Sequence, residues 1–256
     1  MKVFAEERQN KITELINDRG RITVEELAAE FNISVITIRR DLKELEDKSL
    51  VKRTHGGAIK NPISSEEILY EDQMKFKIEE KKRIAKFAVS FLESGDSIIL
   101  ESCTTNTYFS NFIPKNNKFI IFTNSPIILS NLRNSSSNID IFCSGGLLKK
   151  SSYCLTGYDT TNFFNHIFAD KAFISIGGLN KENIITIASR DELEVKKSII
   201  KSSKKIIGLS DSSKFNSTLL YEVGSIDILD ILVTDKAINI HLFNKLTKMG
   251  IQVFTV

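Results

Sequence analysis

The chain has 256 residues, 41% hydrophobic and 26% charged, with 35 Lys and Arg against 32 Asp and Glu. This is the composition of a globular protein long enough for one or two cored domains, and it excludes a disordered or collagen-like chain. A net charge of +3 neither demands nor forbids a nucleic-acid partner, so the local placement of charge decides.

The opening "MKVFAEERQNK" is too polar for a signal peptide and no apolar run reaches membrane length, so a cytoplasmic chain with no membrane partner is expected. Cys103, Cys143 and Cys154 are odd in number and lack metal-type spacing, which reads as reduced thiols. There is no H-E-x-x-H, no P-loop and no G-x-G-x-x-G, so neither a metal nor a nucleotide cofactor is expected.

The first helix is expected over Glu6–Asn17, with Ile12, Leu15 and Ile16 at helical spacing and Gly20 as its stop. "TVEE" offers Thr23 as cap and Glu26 as partner in a capping box, opening a second helix to about Phe31. After the short turn "NIS", Ser34 caps a third helix whose apolar stripe is Val35, Ile38, Leu42 and Leu45. "LVKRTHGGAIK" reads as two short strands around a Gly-Gly turn. Three small helices and a hairpin make a winged helix-turn-helix over residues 1–60.

A linker over 61–80, with Pro62 and a Ser-Ser-Glu-Glu run, leads into a helix expected over Lys77–Glu93 and closed by "SGD". From Ser97 apolar runs alternate with amphipathic ones. The strands expected are "SIILE", "FIIF", "IDIFC", "KAFISI", "KIIGLS", "DILV" and "QVFTV". The helices lie near Thr105–Phe112, Pro126–Arg133, Tyr158–Ile167, Glu192–Ser202 and Ile238–Met249. Such alternation predicts a mostly parallel α/β domain over 81–256, with ligands at the carboxyl ends of its strands.

The third helix carries the sharper signal. Its outer face presents Ile36, Thr37, Arg40 and Lys43, with Arg39 on the flank. In helix-turn-helix proteins this helix enters the major groove, where Arg pairs with guanine and Thr or Ile meets a thymine methyl. Arg39, Lys43, Lys52 and Arg53 suit phosphates, as does Ser34; His55 stands at the hairpin turn. Residues 34–60 hold seven Lys and Arg against four acids, an excess equal to that of the whole chain. Double-stranded operator DNA is the expected partner.

Residues 6–60 closely resemble the DeoR family of bacterial transcriptional regulators through "SVITIRRDL" (Ser34 to Leu42) and "HGGA" (His55 to Ala58). The likeness continues through "GDSIILESCTT", "FTNS", "SGG", "ADKAFISIGGLN", "LEVKKSII", "SDSSKF" and "VTD". It implies a carbohydrate-operon repressor whose second domain resembles phosphosugar isomerases and senses a phosphorylated sugar. It also implies a homo-oligomer, a dimer or tetramer, because paired half-sites mirror protein symmetry.

A phosphate needs backbone N–H groups, hydroxyls and a cation. Glu101, Ser102, Thr104, Thr105 and Thr107 after the first strand are candidates for this site, with Asn124 and Ser125 after the second and Gly145 and Gly146 after the third. The resemblance adds Lys196 and Lys214 as cations and Asp211 beside them. Against the family pattern, Glu101 replaces an Asp, Cys103 a Gly, Gln73 an Arg and Asn183 a Gly. An isomerase with an attached DNA-binding domain is the alternative, with Glu101, Asp211 and Asp235 as carboxylates but no His in the loops. A regulator answering to a protein partner through a decayed site is a further one. Cys103 is not read as a nucleophile, because the neighbouring Glu101 raises its pKa.

Overall fold

A computed structural model describes residues 5–47, 50–60, 69–134 and 138–256. Pro62 and the Ser-Ser-Glu-Glu run of the linker, and most of the "NSSSN" tract, lie outside the described residues.

The first domain runs α1 (Ala5–Arg19), β1 (Arg21–Thr23), α2 (Val24–Phe31), α3 (Val35–Asp47), β2 (Val51–Thr54) and β3 (Gly57–Lys60). Thr23 and Glu26 form the capping box at α2, and Asn32 ends that helix in the left-handed conformation. Ile12, Ile16, Leu27, Ile38, Leu42 and Leu45 share one small core. Each buried aliphatic side chain contributes ~1.5–3 kcal/mol, which a domain this small needs. The sequence suggested two strands; the structure has three, in the order β1-β3-β2 and antiparallel. Three residues are too few to display alternation. Gly57 records the pairing instead: a Cβ there would collide with the Ile22 carbonyl oxygen and the Thr23 backbone of β1.

The stretch read as linker already contains structure. α4 (Tyr70–Lys75) lies within it, and the helix expected over Lys77–Glu93 is α5 (Ile78–Ala88) followed by a 3-10 turn (Val89–Phe91), so it stops sooner.

All seven expected strands form one parallel sheet: β4 (Ser97–Leu100), β5 (Phe119–Thr123), β6 (Ile139–Cys143), β9 (Ala169–Ser175), β12 (Ser203–Leu209), β14 (Ile231–Thr234) and β15 (Gln252–Thr255). Their order is β15-β14-β12-β9-β4-β5-β6. α5, α6 (Thr104–Ser110) and α7 (Pro126–Leu132) bring Ile84, Phe109 and Ile128 to one apolar cluster. α8 (Tyr158–Asn165), α9 (Arg190–Lys201) and α10 (Ile240–Lys248) bring Phe164, Ile199 and Leu246 to the other.

Five short strands of this second domain were not expected from the sequence. β7 (Leu147–Lys149) and β8 (Cys154–Thr156) pair as a hairpin. β10 (Gly178–Leu179), β11 (Ile184–Ile187) and β13 (Tyr221–Ser225) form a small antiparallel sheet. Asn183 makes the turn into β11 at φ 63°, a conformation Asn tolerates.

Chain order runs outward from β4 to β6 and resumes on the other side of β4 with β9. That reversal leaves a crevice beyond the carboxyl ends of β4 and β9, the place where open α/β sheets take ligands.

Candidate functional site

Two surfaces stand out. On α3 the inward face holds the domain together: Asp41 is buried and accepts hydrogen bonds from Arg8 Nε at 2.6 Å and Nη2 at 3.0 Å. The outward face is open. Ile36 is 78% exposed, the Arg40 side chain is 82% exposed and bonded along the helix to Glu44 at 3.2 Å, and Arg39 and Lys43 are exposed. Ser34 Oγ accepts the Thr37 N–H at 3.2 Å and fixes the start of the helix. Beside it Lys52, Arg53 and His55 stand exposed on the hairpin, whose Arg53 N–H is held by Glu46 at 2.9 Å.

The second surface is a cavity of about 190 Å³ at the crevice of the parallel sheet. Ser102, Cys103, Thr104 and Thr105 line it from the end of β4, Ser175 to Gly177 from β9, and Ser210, Asp211, Ser213 and Lys214 from β12. Tyr70, Gln73 and Phe76 close it from α4, and Lys81 enters from α5.

The walls are braced by hydrogen bonds. Asn124 Oδ1 accepts the Ser102 N–H at 2.8 Å, and Asn106 Nδ2 donates to the carbonyls of Glu101 and Phe173, both at 2.8 Å, tying β4 to β9. Tyr70 and Thr107 share a hydroxyl bond of 2.7 Å, and burial pushes the Tyr70 phenol up to about 12. Cys103 caps α6, its Sγ accepting the Asn106 N–H at 3.3 Å. Burial and then the Glu101 charge push its thiol up to about 12, so it is no nucleophile at neutral pH.

Lys81 is 3% exposed and donates to the Gln73 carbonyl oxygen. Burial pulls its pKa down to about 8; Asp211 opposes that and Lys214 adds to it. A buried ammonium with one backbone acceptor has donors to spare, since each –NH₃⁺ carries three. Lys214, on the 3-10 turn Ser212–Lys214, donates its backbone N–H to the Asp211 carbonyl at 3.2 Å, while its ammonium has no hydrogen bond or ion pair among the described residues.

The family model "DeoR-like helix-turn-helix domain" matches residues 8–63, and "DeoR C terminal sensor domain" matches residues 76–236. The chain belongs to the DeoR family. It is a DNA-binding transcriptional regulator with an effector-sensing domain. The HTH-type transcriptional repressor GlcR of Bacillus subtilis is 32% identical over 98% of this chain and 96% of its own length. The HTH-type transcriptional regulator GolR of Listeria innocua is 30% identical over 98% of both chains. The glycerol-3-phosphate regulon repressor of Escherichia coli is 29% identical over 96% of this chain and 97% of its own. The solved ribose 5-phosphate isomerase A of Methanocaldococcus jannaschii overlays on 53% of each chain with 15% identity and a TM-score of 0.38.

In this DeoR-family chain the sequence-derived effector residues divide. Ser102, Thr104, Thr105, Asp211 and Lys214 meet at the cavity. Glu101 and Lys196 do not: they pair with each other at 2.6 Å, both buried behind the wall. Lys196 also donates to the Ser175 carbonyl at 2.7 Å, so its charge is spent inside the protein. Thr107, Asn124 and Ser125 are buried braces, with Ser125 capping α7. Gly145 and Gly146 lie outside the cavity lining; a Cβ on Gly146 would collide with Thr160 Oγ1, which explains that glycine without a ligand.

Sequence reading missed Lys81 and Tyr70. Lys81 sits on the apolar stripe of α5 with Ile84, Ala85 and Ala88, three, four and seven residues on, and a lysine on a buried stripe was the available signal. Asp211 lines the cavity as a brace, since its carboxylate accepts the Ser213 N–H at 3.1 Å. Asp235, weighed as a catalytic carboxylate, accepts from Ser212 at 2.6 and 2.9 Å. No helix among the described residues is long and apolar enough to cross a membrane.

Proposed function

We propose that this chain represses a carbohydrate-utilisation operon and that a small sugar phosphate, bound in the cavity, alters its hold on operator DNA. The observation that carries this reading is Lys81: a buried ammonium, with donors to spare, facing a cavity rimmed by the hydroxyls of Ser102, Thr104 and Thr105. A phosphate monoester supplies the charge and acceptor oxygens that such a cluster wants. Lys214 adds the second cation, and the carbonyl and hydroxyl groups of β9 and β12 meet the sugar. The volume, below the several hundred Å³ of pockets for drug-sized ligands, favours a small metabolite. The Escherichia coli relative is named for a glycerol-3-phosphate regulon, which fits a ligand of this chemistry.

In the same reading Ile36, Thr37 and Arg40 address base edges, while Ser34, Arg39, Lys43, Lys52, Arg53 and His55 hold phosphates. A homo-oligomer, dimer or tetramer, presents two recognition helices to paired half-sites, and the work is done in the cytoplasm. A panel of hexose, pentose and triose phosphates tests this. A true effector raises the melting temperature, by ~2.7 kcal/mol of stabilisation at a hundredfold excess over Kd, and then changes the shift of operator DNA in a gel. No stabilisation across the panel overturns the reading.

A further inference from the structure

The DNA-binding domain reaches the effector cavity. Thr13 of α1 and Leu50, just beyond α3, line it beside Gln73 and Phe76. A second cavity, of about 360 Å³, lies between the two domains, with Gln9, Asn10 and Glu44 on one side and Gln73, Lys75 and Phe76 on the other. Lys81 and Lys214 belong to the walls of both cavities.

One ion pair ties the domains together across this gap. Lys77, in the turn before α5, is 9% exposed and bonds Glu14 of α1, with Glu80 at 3.6 Å. Its backbone is left-handed, at φ 53°, which costs a residue with a side chain ~1–2 kcal/mol. A buried, strained lysine whose nearest acidic partner lies across a domain boundary holds that boundary in one arrangement. Burial works against its charge, but Glu14, Glu80 and Asp211 outweigh it and leave the pKa raised.

We infer that the DNA-binding domain, docked through Glu14 and Lys77, is one wall of the effector site, so that a sugar phosphate seated on Lys81 and Lys214 fixes the docked arrangement. This rests on the effector reading given above. A ligand that touches both domains binds fully only when they are docked, so its apparent affinity falls with the docked fraction. By linkage, the ligand stabilises docking by the same factor. Docking sets how α3 is presented, and paired half-sites demand one spacing of two such helices.

The test uses the full-length chain with glycerol 3-phosphate, glucose 6-phosphate and fructose 1-phosphate as probes, read by amide hydrogen exchange and by titration. The probe that binds is expected to slow exchange in peptides covering Ser102–Thr105 and Ser210–Lys214, and also in α1 around Thr13. Lys77→Gly removes the tie while easing the left-handed backbone, so it folds. In that variant α1 exchanges faster without any ligand, the probe binds roughly three- to tenfold more weakly, and the response of α1 to the probe disappears. If the probe protects the strand ends of the wild type and leaves α1 unchanged, or if Lys77→Gly binds as tightly with α1 still responding, the inference is overturned and the effector reading stands. If no sugar phosphate alters exchange in either domain, both are overturned.

Discussion

Lys196 and Glu101 meet at 2.6 Å behind the cavity wall, and Glu101 also accepts the Ser175 N–H at 2.7 Å. The pair therefore ties α9 to the ends of β4 and β9, the two strands that flank the crevice. Lys196→Met leaves a buried carboxylate without its cation and is expected to destabilise the sensor domain by ~3–5 kcal/mol in denaturant unfolding. Replacing both partners, with Glu101→Leu and Lys196→Met, recovers part of that loss. If Lys196→Met unfolds at the wild-type denaturant concentration yet loses ligand binding, Lys196 is a ligand contact instead.

Lys81 sets a pH window. Its pKa in the fold is about 8, below the ordinary lysine value of 10.5. Below pH 8 the ammonium is charged in both folded and unfolded chains and the burial penalty is present in full. Between about 8 and 10.5 the unfolded chain binds the extra proton, so this residue's contribution to stability rises with pH. Anion binding runs the other way. Affinity for a phosphate monoester climbs through pH 6 as the ester takes its second charge, then falls above about 8 as Lys81 loses its own. Titration calorimetry of wild type and Lys81→Met across pH 6–10 is expected to show the alkaline fall in the wild type alone.

In the proposed reading, charge on α3 divides between reading and holding. Arg40→Ala is expected to weaken operator binding by ~1–3 kcal/mol and relax discrimination at its own base pair, with little effect on random DNA. Lys43→Ala weakens both alike and lowers the slope of log affinity against log salt by ~1. Gel shifts at several salt concentrations separate the two; a uniform loss from Arg40→Ala would place that arginine on a phosphate.

Cys103 and Cys143 are both partly accessible, but the Cys103 thiol is held near 12 by burial and Glu101. Alkylation at pH 8 is expected to label Cys143 well before Cys103, followed by peptide mass spectrometry. Equal rates would mean that the cavity mouth is wet enough to ionise Cys103. Its backbone, at φ −160°, is ordinary extended chain, so the glycine common at this place in the family is not needed for conformation here.

Strands such as "SIILE" and "KAFISI" were legible because a parallel strand covered on both faces is a continuous apolar run. β1, β10 and β11 were not, because two to four residues carry no period and their pairing is set by distant partners such as Gly57 and Gly178. The recognition helix was legible to its cap. Within the cavity the hydroxyl loop after β4 was legible as a strand end followed by a helix start. The lysines were harder. Lys196 and Lys81 both lie on amphipathic helices, and which one turns its charge to a cavity depends on where Glu101 points, which is a fact of packing. The share taken by the DNA-binding domain in the cavity lay beyond reach, since Thr13 and Leu50 carry no mark of a second domain.

Asp41 lies one residue beyond Arg40 and points the opposite way, clamped by Arg8 while Arg40 stands in solvent. The helix therefore holds the domain together on one side and leaves the other open. In the proposed reading, changes at Ile36 and Thr37 can shift target preference without touching the clamp, whereas Arg40 reaches it through Glu44 and Gln9, so target preference can diverge between duplicated copies of such a gene most freely at the first two positions.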